Sequence, residues 1–335
     1  MVSGHSLAEL EAAAELVHRT LPLTPQFHWP LLSQRAGCEV WVKHENHTPL
    51  GAFKVRGGLV YMDWLRQEHP HVTGVITATR GNHGQSVAFA ARQFGVRAKI
   101  VVPHGNSREK NAAMRALGAE LIEHGHDFQA ASEHAAQLAE TYSLHRVPSF
   151  HPLLVRGVAS YALEFFRGCR ALDAVYVPVG MGSGICGLMA ARDALGLKTE
   201  IIGVVSRGAP AYALSFAAGH PVATERADTF VDGVACRQPD ALAVEAICRG
   251  AARVIQVSDA EVAAAMCALY QDTHNLAEPA VAAAFAGLMQ EREQMKHRKV
   301  GVVLTGANLD LEVFREVLNS CPDESAKRLV WQQTR

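Results

Sequence analysis

Thr48-Pro49-Leu50-Gly51-Ala52-Phe53-Lys54-Val55-Arg56-Gly57-Gly58 lies between two patterned runs. Before it, Cys38 to Lys43 alternates like a strand, and after it a helical pattern opens near Arg56. Lys54 is therefore expected at a strand-to-helix turn, with glycines at 51, 57 and 58 that let the backbone come close to a ligand. Flanking Ala52 and Phe53 would strip water from the amine, lowering its pKa and making it nucleophilic. A lysine beside glycines is more often a solvated surface residue, so the rest of the chain decides.

Working outward, short β-branched runs alternate with helical patterns. GVITA (74–78), AKIVV (98–102) and AELIE (119–123) read as strands, followed by helices over 82–94, 107–117 and 128–142. The pattern resumes after Arg156 with AVYVPV (174–179), EIIGVV (200–205), RVIQV (253–257) and KVGVVL (299–304). Such alternation indicates parallel sheets covered on both faces, and the strands are too many for one small sheet, so two α/β lobes are expected. Ser6-Leu7-Ala8-Glu9 and Ser258-Asp259-Ala260-Glu261 are capping boxes. The first opens a helix to about Thr20, the second a long alanine-rich helix. Leu21 to Pro30, with three prolines, is extended or looped, and Cys321 to Arg335 reads as a loose polar tail.

Composition excludes several classes. A formal charge of −1 over 335 residues gives no electrostatic case for nucleic acid or an anionic membrane. No apolar run reaches the length of a bilayer span, and the N-terminus lacks a signal pattern. Cysteines at 38, 169, 186, 236, 248, 267 and 321 are scattered without a CxxC, which implies free thiols in a reducing, cytoplasmic compartment. The histidines at 69, 71, 124 and 126 lack a further ligand at zinc spacing, so no metal is expected.

Ligands of open parallel sheets bind at the carboxyl ends of strands. Four such ends carry chemistry here. Lys54 is one. Thr79-Arg80-Gly81-Asn82-His83-Gly84-Gln85 places backbone N–H groups at a helix N-terminus, suited to a carboxylate. Gly180-Met181-Gly182-Ser183-Gly184 is a glycine turn able to cradle phosphate. Thr305-Gly306-Ala307-Asn308 offers a neutral hydroxyl that fits a ring nitrogen and not a metal. Gly182, Gly184 and Gly187 also satisfy GxGxxG, and Arg207 could meet a 2′-phosphate, so an NADP-dependent oxidoreductase stays open; it gives Lys54 and Asn82 no task.

In combination the chain resembles the fold-type II pyridoxal-phosphate enzymes (tryptophan synthase β-like), in their serine/threonine dehydratase and serine racemase branch. The markers are GAFKVRG (51–57), GNHGQ (81–85), GMGSG (180–184), VDGVA (231–235), AEPA (277–280) and TGAN (305–308), in the family's order from about Leu21 to Asn319. The resemblance implies two open twisted α/β lobes with pyridoxal 5′-phosphate between them. The large lobe would be 1–57 and 156–320, the small lobe 58–155, and the tail 321–335. It implies Lys54 as the Schiff-base and proton-shuttling residue, with Phe53 and Asn82 bracketing the ring. Gly180, Met181, Gly182, Ser183 and Gly184 would hold the phosphate, with Gly233 and Glu278 nearby and Thr305 at the ring nitrogen. Thr79, Arg80, Gly81, Asn82 and His83 would receive the substrate. The implied reaction is α,β-elimination of a β-hydroxy amino acid to a 2-oxo acid and ammonia, in a homodimer. A β-replacement synthase and a non-catalytic pyridoxal-phosphate-binding protein are the alternatives. The chain's end soon after the catalytic lobe suggests no appended regulatory domain.

Three positions depart from that pattern. Ala52 and Arg80 stand where the family has serines, and Val205 where racemase-like members have a cation-binding glutamate. A guanidinium is a poor proton acceptor, so weak racemisation is expected. Arg80 directed inward would favour an acidic or otherwise substituted serine, such as 3-hydroxyaspartate or phenylserine; turned outward or paired with a local acid, it leaves threonine and serine.

Overall fold

The computed structural model describes residues 4–321. In chain order it begins with α1 (Leu7–His18), β1 (Gln26–His28), α2 (Pro30–Ala36), β2 (Glu39–His44) and α3 (Lys54–Glu68). Next come β3 (Gly74–Ala78), α4 (Asn82–Gln93), β4 (Arg97–Val102), α5 (Arg108–Ala116), β5 (Glu120–Glu123), α6 (Phe128–Thr141) and β6 (His145–Arg146). The chain continues through α7 (Pro152–Gly168), β7 (Ala174–Pro178), α8 (Ser183–Ala194), β8 (Glu200–Ser206), α9 (Ala211–Ala218) and α10 (Ala241–Gly250). It closes with β9 (Arg253–Val257), α11 (Asp259–Thr273), α12 (Pro279–Gln290), β10 (Lys299–Leu304) and α13 (Leu311–Ser320).

The strands form two sheets, one of six in the order β1-β2-β10-β7-β8-β9 and one of four in the order β5-β4-β3-β6. Period-two alternation sends side chains to opposite faces. Val175 and Val177 pack toward α7 and α8, whereas Ala174 and Tyr176 pack toward α11 and α12. In the small sheet Val75 and Ile100 face α3 and α4, and Ile76 and Val101 face α6. At roughly 1.5–3 kcal/mol for each fully buried valine or isoleucine, these four faces drive the folding of both sheets. Every strand pair is parallel except β1 with β2. The segment read as extended or looped thus holds an antiparallel edge strand, short because Pro25 and Pro30 bound it.

Parallel pairing sets the site. β10 lies between β2 and β7, so the TGAN turn and the glycine turn leave neighbouring strand ends. β3 is interior to the small sheet and delivers the 79–85 turn.

Helix α7 is buried over most of its length and packs against α1, α3 and α8. Its crossing with α3 brings backbones into contact. A Cβ on Gly157 would stand 2.4 Å from the Arg56 carbonyl oxygen, and one on Gly57 would stand 2.7 Å from that of Leu154. A Cβ on Gly58 would likewise meet Ser86. These glycines therefore admit protein rather than the expected ligand, and they fix the helix that starts at Lys54.

Both capping boxes form. The alanine-rich helix expected after Ser258 forms as α11; His274 ends it with a left-handed φ of 54°, and Pro279 then starts α12. The cysteine expectation also needs correction. Cys267 on α11 and Cys321 just beyond α13 form a disulfide, their Cα atoms 5.8 Å apart, while Cys38, Cys169, Cys186, Cys236 and Cys248 are free. Packing of α11 on α13 pairs two thiols 54 residues apart, which spacing does not encode. The remainder of the expected tail, 322–335, lies outside the described residues.

Candidate active site

The four strand ends converge on one cavity between the sheets. Phe53, Lys54, the Thr79–His83 turn, the Gly180–Gly184 turn, Gly233, Glu278 and Thr305 all line it. Lys54 is the first residue of α3, and the loop before it is braced by the TGAN turn. Phe53 donates its N–H to the Thr305 carbonyl (3.0 Å), and Ala307 donates to Gly51 O (2.9 Å).

The Lys54 side chain borders the cavity and is half-buried by area, and protein encloses its amine. Desolvation brings its pKa down to about 8, against an opposing pull from Glu278. Nζ lies 4.9 Å from the Phe53 ring centroid and donates to Ser183 Oγ at 2.8 Å. Ser183 is the first residue of α8, whose N-terminus has no side-chain cap, so its leading N–H groups point out for an anion. The turn before it demands glycine. A Cβ on Gly180 would strike Gly233 O at 2.1 Å, and Gly182 has φ 96°. Met181 O accepts from the Tyr212 hydroxyl at 3.1 Å and holds the turn in place.

On the opposite side, Asn82 begins α4. Its Nδ2 donates to Glu278 Oε1 (2.7 Å) and its Oδ1 accepts from Asn308 Nδ2 (2.8 Å). Burial raises the Glu278 pKa, and its Oε2 is buried with no hydrogen-bond partner. Thr79 Oγ1 accepts from the N–H groups of Gly81 (2.9 Å) and Gly84 (3.2 Å). It thereby takes up two N–H groups of the 79–85 turn and leaves those of Arg80, Asn82 and His83. His83 is buried, its Nε2 3.1 Å from Thr77 Oγ1. Desolvation, then the neighbouring Lys54 charge, lowers its pKa to about 3, so the ring stays neutral. Arg80 pairs with Asp232 across the cavity at 3.1 Å while its Nε is buried and unpartnered. The local-acid alternative for Arg80 thus occurs, although the side chain still lines the cavity.

Sequence reasoning overlooked three groups. Asp232 and Asn308 lie inside quoted motifs but drew no role, because their partners come from other turns. Lys110, buried on α5, reaches Glu278 Oε2 at 3.9 Å, a pairing across both sheets that no local pattern signals. Other nominated features fall outside the cavity. Arg207 is exposed and pairs with Glu261 at 3.6 Å, and Val205 lies in the core. Arg56, two residues from Lys54, is fully buried among Glu45, Glu164 and Ser160.

An enclosed amine of lowered pKa and a glycine turn opening a helix are a donor set that suits an aldehyde bearing a phosphate. Comparison with known proteins agrees. The family model described as "Pyridoxal-phosphate dependent enzyme" matches residues 19–306. The biosynthetic L-threonine dehydratase of Pasteurella multocida is 32% identical over 308 residues, 91% of this chain and 60% of that protein. The L-threonine ammonia-lyase of Thermotoga maritima is 29% identical over 97% of this chain and 80% of that protein. The solved structure of the processed threonine deaminase isoform 2 from Solanum lycopersicum superposes with a TM-score of 0.86 at 30% identity, covering 95% of this chain and 94% of that one. The chain thus spans about 60% of the length of the first of these relatives. With its two sheets, its converging turns and a family match over most of its length, the chain belongs to the pyridoxal-phosphate dependent enzymes of fold-type II, whose cofactor is pyridoxal 5′-phosphate.

Proposed function

We propose that the chain is a dehydratase, or ammonia-lyase, acting on threonine or serine by α,β-elimination. The observation that carries this reading is the enclosed Lys54 amine, its pKa brought down to about 8, tied through Phe53 to Thr305, a residue with an uncharged side chain. Pyridoxal phosphate supplies a sink for the electron pair left at Cα, and a neutral partner at its ring nitrogen keeps that sink weak, which favours expulsion of the β-hydroxyl over return of a proton. Lys54 holds the cofactor and accepts the α-proton. The α8 N-terminus with Gly180 to Gly184 binds phosphate, and Phe53 and Asn82 flank the ring. The N–H groups of Arg80, Asn82 and His83 bind the substrate carboxylate. The substrate loses its α-proton and its hydroxyl as water; the released enamine then takes up water and gives a 2-oxo acid and ammonia. The names of the Pasteurella and Thermotoga relatives support this reaction.

Asp232 already balances the Arg80 charge, which favours threonine and serine over an acidic analogue. A second reading, a substituted serine such as 3-hydroxyaspartate or phenylserine, draws on the unpartnered Arg80 Nε at the cavity wall. Ammonia release from threonine, serine, 3-hydroxyaspartate and phenylserine by the native chain and by Arg80→Ser separates them. Threonine ranking first in both supports the main reading; a 3-hydroxyaspartate preference that Arg80→Ser abolishes supports the second. Substrate consumption that requires an added nucleophile and releases no ammonia would replace both with β-replacement. A homodimer, a cytoplasmic location and lobes of 1–57 with 156–320 and 58–155 belong to the same proposal. Among the described residues no helix is long and apolar enough to cross a membrane.

A further inference from the structure

The TGAN turn contributes a second side chain whose placement has a chemical consequence. Asn308 Nδ2 donates to the Leu50 carbonyl oxygen (2.8 Å) and to Asn82 Oδ1 (2.8 Å), and Asn82 Nδ2 donates to Glu278 Oε1 (2.7 Å). An amide side chain has an acceptor end and a donor end of nearly equal shape, so only its partners decide which end faces where. Leu50 O is a backbone carbonyl and can only accept. It therefore requires the NH₂ end of Asn308 on its side, and the second hydrogen of that group is then available for Asn82. Turned over, Asn82 would set its NH₂ against the NH₂ of Asn308 and its oxygen against the Glu278 carboxylate.

The Glu278 contact alone is a weaker lock. Burial raises the Glu278 pKa, and whenever the carboxyl carries a proton it can donate as well as accept and would tolerate either end of Asn82. Asn308 has no such freedom. We infer that Asn308 is a positioning residue that fixes the orientation of the Asn82 amide, so that Asn82 presents an N–H to the bound cofactor instead of a carbonyl oxygen. Polarity passes from one backbone carbonyl in the loop before Lys54, through Asn308, to Asn82 on the other sheet's turn. The amide of Asn82 keeps one N–H beyond that given to Glu278, and the residue lines the cavity.

This inference rests on the proposed contact between Asn82 and the cofactor. The test is a double-mutant cycle on the holoprotein, read by the cofactor's visible absorption spectrum and its dissociation constant. Asn82→Ala and Asn308→Ala are each expected to shift the visible band and to weaken cofactor retention about tenfold or more, as loss of a hydrogen bond to a charged group does. The combined variant is expected to lose no more than either one. Asn308→Asp keeps the shape but removes both donors, and it is expected to match Asn308→Ala. If Asn82→Ala shifts the band while both Asn308 variants leave it unchanged, or if the combined loss is additive, the inference is overturned and the Asn82 contact stands. If Asn82→Ala leaves spectrum and retention unchanged, both fall together.

Discussion

Lys54 and Arg56 are two cations two residues apart on the same helix, and the protein treats them in opposite ways. Both are enclosed. The Lys54 amine donates to a neutral hydroxyl, Ser183 Oγ, and its desolvation brings the pKa down to about 8. Arg56 Nε and Nη2 donate to the Glu45 carboxylate (2.7 and 3.0 Å), and its Nη1 donates to Glu164 Oε1 (2.6 Å). Burial acts against its charge as well, but the two carboxylates outweigh burial and its pKa is raised. Lys43, also fully buried, donates to Glu164 at 2.5 Å and completes a set of two cations and two anions. Burial that outweighs its nearby charge lowers an amine's pKa, whereas burial outweighed by two carboxylates leaves a guanidinium charged and fixed in place.

The sharpest way to break this contrast is to remove each cation in turn. Lys54→Ala is expected to lower turnover by roughly 10³-fold or more, since an activated nucleophile is lost, while the urea midpoint of the apoprotein stays unchanged. Equal activity in that variant would end the comparison. Arg56→Met is expected to do the reverse in kind. It strands Glu45 and leaves Glu164 with Lys43 as its remaining buried cation, at a cost of about 3–5 kcal/mol, read as a lower midpoint in urea unfolding. A midpoint equal to that of the native chain would show that the network contributes nothing.

pH sharpens both halves. Deprotonated amine is the form that attacks an aldehyde, so capture of pyridoxal phosphate by the apoprotein should quicken about tenfold per pH unit and level off above pH 8 or so. A rate still climbing to pH 10 would mean that Lys54 is not desolvated in this way. On the Arg56 side, burial raises the Glu164 pKa, but Arg56 and Lys43 outweigh it and hold it at about 2. Its folded pKa is thus depressed below the ordinary value of 4.5, so its contribution is complete above pH 4.5 and is lost as pH falls toward 2. Urea midpoints between those limits should fall in the native chain and fall less in Arg56→Met.

Much of this was legible in the sequence because its signals are local. β-Branched runs marked the inner strands, two S-x-x-E boxes marked helix starts, and glycines spaced around Ser183 marked the turn that opens α8. Lys54 stood out through its immediate neighbours. What stayed hidden depends on contacts distant along the chain. Arg56 and Glu164 are 108 residues apart, and nothing near either one announces the other. Gly57 looked like room for a ligand because its true neighbour, Leu154, belongs to a helix nearly a hundred residues on. Asn308 gained significance only when the fold set Leu50 and Asn82 on either side of it. The short edge strand β1 was legible only as extended or looped chain, because three residues between prolines carry too little periodicity to mark a paired strand.

The most direct measurement is borohydride reduction of the holoprotein followed by peptide mass mapping. The expected result is loss of the visible band and one pyridoxyl phosphate adduct, located on Lys54. An adduct on another lysine, or a protein that stays colourless when mixed with pyridoxal phosphate and takes up none, would contradict the assignment of the enclosed amine as the reactive one.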